Sequence, residues 1–133
     1  MVDVYEEYLQ MPESLTAEEM SKLHMELAAE IGNDEDALEL YDELIQAATR
    51  YADFRANWRL WSREEKMDKD PSRTSCHNSV IIKYNQLAKY LKMQGKPAGW
   101  RDILGDEQQN PGCRKRIGDF ACYLVFVNAL LAR

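Results

Sequence analysis

Apolar residues recur at helical spacing through most of the chain, and no alternating pattern predicts a strand of useful length. The clearest helix start is at Thr16, which forms a capping-box sequence with Glu19. Apolar positions then follow at helical spacing until Gly32, which predicts a helix from Thr16 to that glycine. A shorter helix is predicted over residues 3–9.

The next helix is predicted to be the longest of the chain. No glycine or proline lies between Gly32 and Pro71, and Asn33 is a plausible N-cap. A continuous helix over residues 34–66 would be about 50 Å long. Its apolar positions form one packing face: Ala37, Tyr41, Leu44, Ala48, Tyr51, Phe54, Trp58 and Trp61.

After a polar segment over residues 67–72, a further helix is predicted to begin at Asp70 and Pro71, because proline is favoured at the first helical position. Gly95 is its expected end. The last apolar segment is residues 120–132, in which every residue except Asn128 is apolar.

That final segment has no polar side, and a helix of this kind is normally buried. Its 13 positions are fewer than the about 20 needed to span a bilayer. We therefore expect a core helix and no membrane association. The predicted fold is all-α: an irregular bundle of about five helices around a buried C-terminal helix, in a single domain over residues 1–133.

The composition is that of a globular protein, since 45% of the residues are hydrophobic and 30% are charged. No signal-peptide pattern opens the chain, so a cytoplasmic location is expected. The three cysteines, Cys76, Cys113 and Cys122, are odd in number and widely spaced. They are interpreted as free thiols of a reducing compartment.

Charge is divided unevenly along the chain. Residues 1–48 contain fourteen acidic residues and one lysine, whereas residues 49–133 contain nine acidic and sixteen basic residues. The two parts can pair internally, which is the favoured interpretation, or can attract a charged partner. A candidate acidic interaction face comprises Glu18, Glu26 and Glu30.

The predicted long helix carries a second candidate interaction face, in which arginines alternate with aromatic residues. Its members are Arg55, Trp58, Arg59, Trp61 and Arg63. An uncovered apolar stretch here would favour a protein partner or a homodimer. The alternative is nucleic-acid binding along a stripe of Arg55, Arg59, Arg63 and Lys66, extended by the basic cluster at 114–116. A net charge of −6 and a pI near 5.0 argue against that alternative.

The densest polar chemistry is a candidate cluster of Arg73, Thr74, His77 and Asn78, with Asp119 as a potential partner. An arginine and a histidine at a helix N-terminus could bind an anion or transfer a proton, which would make the protein an enzyme. The favoured interpretation is structural, since no partner set for catalysis is visible in the sequence. No metal-binding, phosphate-binding or cofactor motif is found, so no cofactor is expected.

The pairs Arg73-Thr74 and His77-Asn78, together with the segment 114–123, resemble a small bacterial family of all-helical proteins of unknown function. The resemblance covers mainly residues 50–133 and implies a bacterial cytoplasmic protein with one helical domain. The family has no assigned chemistry, so the resemblance implies no activity. The sequence therefore predicts a non-enzymatic interaction or regulatory protein that binds another protein or itself.

Overall fold

The computed structural model describes residues 15–58, 60–105 and 114–131. These residues form five helices and no strand, which confirms the all-α bundle: α1 (Ala17–Ile31), α2 (Glu35–Trp58), α3 (Arg63–Met93), α4 (Gly99–Leu104) and α5 (Arg114–Leu131). The helix predicted over residues 3–9 lies outside the described residues. No helix in the described ranges has the length and apolar character to cross a membrane.

The first helix has the ends that its sequence predicts. The Thr16 hydroxyl accepts the amide of Glu19 at 3.1 Å, and the Glu19 carboxylate accepts the amide of Thr16 at 3.2 Å. Gly32 ends the helix with a φ of 52°, a conformation that glycine adopts without strain. The cap of α2 is Asp34 rather than the predicted Asn33, because the Asp34 carboxylate accepts the amides of Asp36 and Ala37.

The predicted long helix over residues 34–66 is wrong, because α2 ends at Trp58 and α3 begins at Arg63. A capping box makes the new start: the Ser62 hydroxyl accepts the Glu65 amide at 3.2 Å, and the Glu65 carboxylate accepts the Ser62 amide at 3.3 Å. The predicted polar segment over 67–72 is therefore helical. Pro71 lies inside α3 instead of starting a helix.

Helices α2 and α3 form an antiparallel hairpin. At the end opposite the turn Tyr90 donates to Asp34, in the middle the rings of Tyr51 and His77 meet, and near the turn Arg73 lies over the ring of Trp58. Helix α5 crosses this hairpin, where the Tyr84 hydroxyl donates to the Ile117 carbonyl at 3.4 Å. Helix α1 packs against α4 and α5.

The C-terminal helix is buried only along its first half. Its fully covered apolar side chains are those of Ile117, Phe120, Ala121 and Leu124. Asn128 lies on the same helical face but is exposed, so the last turn extends beyond the helices that cover the earlier turns. The prediction of an enclosed core helix is wrong for this end, where 62% of Phe126 and 46% of Leu130 are exposed.

Candidate functional site

Aromatic and apolar side chains collect where α2 turns into α3. The ring of Trp61 packs edge-on against Phe54 and Trp58, with centroid distances of 5.3 and 6.1 Å. Leu60 is 81% exposed and Met67 is 70% exposed in the same stretch of chain. We call this set of five residues (Phe54, Trp58, Leu60, Trp61 and Met67) the aromatic tip.

Basic side chains from α3 cover the tryptophan rings of the aromatic tip. The Arg73 guanidinium lies 4.6 Å from the ring centre of Trp58, and the Lys69 ammonium lies 4.8 Å from that of Trp61. Lys66 is more distant, at 6.0 Å from Trp58. Cations at these positions are attracted by the electron-rich ring faces. They hold the two tryptophans in place while leaving both rings partly accessible.

The predicted basic stripe is not a continuous feature of one helix. Arg55 lies in α2, where its Nη2 donates to Asp119 Oδ1 at 2.7 Å, so its charge is engaged within the fold. Arg63 and Lys66 belong to α3, and Arg59 lies outside the described residues. The stripe is interrupted because the chain reverses direction before Ser62.

The predicted polar cluster is spread over two environments. His77 is buried, with its ring 5.3 Å from that of Tyr51, while Thr74 and Asn78 are exposed. Arg73 belongs to the rim of the aromatic tip. Since α3 begins ten residues before Arg73, neither this arginine nor His77 lies at a helix N-terminus, so the predicted helix start on which the alternative of an anion site depended is wrong.

Tyr51 and Gly118, which sequence reasoning did not select, organise the interior beneath the tip. A Cβ atom on Gly118 would lie 2.5 Å from the Tyr51 hydroxyl, so glycine permits the close approach of α5 and α2. Burial raises the pKa of the Tyr51 hydroxyl and that of the Cys122 thiol. The neighbouring Arg55 Nη1 lies 3.8 Å from Cys122 Sγ. These contacts make a tightly packed, partly polar helix junction.

The three residues of the candidate acidic face lie in different environments. Glu30 supports the fold, because its carboxylate accepts the Ala98 amide at 3.2 Å and the Trp100 indole N–H at 3.1 Å. Glu18 is exposed and Glu26 is half-buried. Only the latter two carboxylates retain the surface role that the sequence suggested.

Two further features bear on chemistry. Within the described ranges, no three His, Cys, Asp or Glu side chains are grouped so that they could hold a metal ion. Cys76 and Cys122 are free thiols, and Cys113 lies outside the described residues.

No protein-family model, curated protein or solved structure matches this chain.

Proposed function

We propose that the protein is a non-enzymatic helical interaction protein and that the aromatic tip is its contact surface for a protein partner. The observation that carries the proposal is the exposure of Leu60 in the turn that holds two partly accessible tryptophans, with Met67 as a further exposed apolar side chain in the first turns of α3. Tryptophan and arginine dominate the binding energy of many protein interfaces. The tip combines both residue types on a turn that the Ser62 capping box and the ring-covering cations hold in one conformation.

Charge at the tip favours a protein over a nucleic acid. Residues 63–73 carry four basic side chains but also four acidic ones: Glu64, Glu65, Asp68 and Asp70. Carboxylates among the cations oppose a phosphate backbone, whereas mixed charge forms a normal polar rim around an apolar protein contact.

We also propose a cytoplasmic location, which the free thiols of Cys76 and Cys122 support.

The test compares three immobilised proteins as baits in lysate: the wild type, Leu60→Glu/Met67→Glu, and the control Ile82→Glu. Ile82 is also exposed and apolar but lies elsewhere on α3. A protein retained by the wild type and the control, and lost from the tip variant, is then purified and titrated. We expect its Kd to rise at least about tenfold for the tip variant, as for interface centres generally.

Equal binding to all three baits would overturn the proposal. The nucleic-acid alternative is tested with a labelled single-stranded oligonucleotide. Binding that falls steeply between about 50 and 200 mM salt, and that Lys66→Glu/Lys69→Glu/Arg73→Glu abolishes, would replace the protein partner with a nucleic acid.

A further inference from the structure

A basic cleft lies between α3 and α4, away from the aromatic tip. It has a volume of about 440 Å³ and is lined by Asn85, Ala88, Lys89, Lys92, Met93 and Arg101. The buried Ala88 and the exposed Met93 supply apolar surface. We call this cleft the basic groove.

The positive charge of the basic groove is concentrated and held by the fold. The Arg101 Nε donates to Asn85 Oδ1 at 2.9 Å, and its Nη1 donates to the Gly105 carbonyl at 2.8 Å. Lys89 and Lys92 are exposed. Lys92 forms an ion pair with Asp102 at 3.9 Å, in which both side chains are exposed to solvent, so this pair is weak and leaves Lys92 able to meet a second carboxylate. Between Asp70 and Asp102 the chain has six basic residues and no acidic one.

The complementary surface is on the same protein. Glu35, Glu39 and Asp42 are exposed at helical spacing on one face of α2, and Leu38 lies among them with 45% exposure. We call this face the acidic stripe. It presents three carboxylates around one apolar side chain, whereas the basic groove presents three cations around apolar surface.

We propose that the acidic stripe of one copy of this chain docks in the basic groove of a second copy. Both surfaces lie toward the end of the α2–α3 hairpin opposite the turn, where Tyr90 bonds to Asp34, so two copies can make the contact twice around a twofold axis. One ion pair within the chain, Lys83 to Glu43 at 3.5 Å, already joins the acidic and basic parts at this end. The contact does not involve the aromatic tip.

The experiment measures molecular mass by sedimentation equilibrium over a wide range of protein concentration. We expect the wild type to form dimers that weaken at least about tenfold when salt is raised from about 0.1 to 1 M, because the screening length falls from about 10 to 3 Å. Lys89→Glu/Lys92→Glu and Glu39→Lys/Asp42→Lys should each be monomeric. Mixing these two variants should restore association, since the reversed groove then meets the reversed stripe.

Two controls make the result specific. Arg50→Glu/Arg63→Glu reverses two other exposed charges and should still dimerise, as should the tip variant Leu60→Glu/Met67→Glu. A monomeric wild type, failure of the mixture to associate, or equal disruption by the charge control would overturn the inference. Dimerisation of the tip variant would show that self-association and the proposed tip function are separate.

Discussion

Two aromatic clusters of this protein share residue types but differ in what covers them. In the core, Tyr84, Trp100 and Phe120 are fully buried and come from three helices. At the aromatic tip, Trp58 and Trp61 are covered on their faces by the basic side chains of one neighbouring helix and stay partly accessible. The first arrangement holds the helices together, and the second keeps apolar surface available for contact.

The largest expected effect separates the two clusters directly. Phe120→Ala should lower the free energy of unfolding by about 3–5 kcal/mol, because it empties a fully buried site. Trp61→Ala should lower it by about 1–2 kcal/mol, from partial burial and one exposed cation–π contact. Urea unfolding of both variants measures the difference. Equal losses would show that the tip is part of the core.

At the contact between α5 and α2, the effect of substituting Gly118 on stability should change sign with the residue at position 51. Gly118→Ala should destabilise the protein by about 1–3 kcal/mol, because its methyl group would overlap the Tyr51 hydroxyl. In a Tyr51→Ala background the same change should stabilise α5 by about 1 kcal/mol, as alanine does inside a helix. A double-mutant cycle by urea unfolding tests this. The same sign in both backgrounds would refute the close contact.

The conformation of the turn at the aromatic tip depends on the capping box at Ser62. Ser62→Ala should lower the free energy of unfolding by about 1 kcal/mol, since the Glu65 amide loses its acceptor. Ser75→Ala, at an exposed position within α3, is the matched control and should cause no loss. Hydrogen exchange should show faster amides in the first turn of α3 for Ser62→Ala alone. Unchanged exchange there would mean that other contacts fix the turn.

The smallest effect concerns the hairpin end opposite the tip. The hydrogen bond to Asp34 raises the pKa of Tyr90 to about 12 from an ordinary value of 10.0, and the same bond is the main cause that lowers the pKa of Asp34. A raised folded pKa means that the folded protein holds this proton more tightly than the unfolded chain. The stabilisation is therefore present at neutral pH and up to pH 10, and it is lost as pH rises towards about 12. Because the pKa of Asp34 is lowered, it is also lost in acid as Asp34 is protonated.

Absorbance titration of the tyrosines measures this shift, with Tyr90→Phe used to assign the signal. Asp34→Asn should bring the Tyr90 transition down towards the ordinary value of 10.0, because the charged acceptor is gone. A transition that does not move in Asp34→Asn would assign the shift to another cause.

The sequence predicts local features of the fold better than the reversal of the chain. The capping box at Thr16 and the glycine at position 32 define both ends of α1, because these signals act within one turn of the helix. No glycine or proline marks residues 59–62, so the sequence pattern predicts an unbroken helix although Ser62 and Glu65 form an equivalent box. Pro71 predicts a helix start from its sequence context, although α3 continues through it.

The candidate sites show a similar division. The spacing of aromatic residues identified Trp58 and Trp61 as a surface worth testing, and the structure places both in the aromatic tip. The pairing of Arg55 with Asp119 joins residues 64 positions apart, and only the packing of α5 on α2 brings them together. The exposure at the end of α5 cannot be predicted for the same reason: the sequence shows that Phe126 is apolar but not where the covering helices stop.

Pro71 weakens the backbone connection between the first two turns of α3, next to the aromatic tip, and the rest of that helix. Because proline has no amide hydrogen, the carbonyl of Met67 cannot receive the backbone bond that would link the second turn of α3 to the third. One backbone hydrogen bond between the second and third turns of α3 is thus absent. We expect the amide hydrogens of the first two turns to exchange faster than those in the middle of α3, while the buried helices keep their packing.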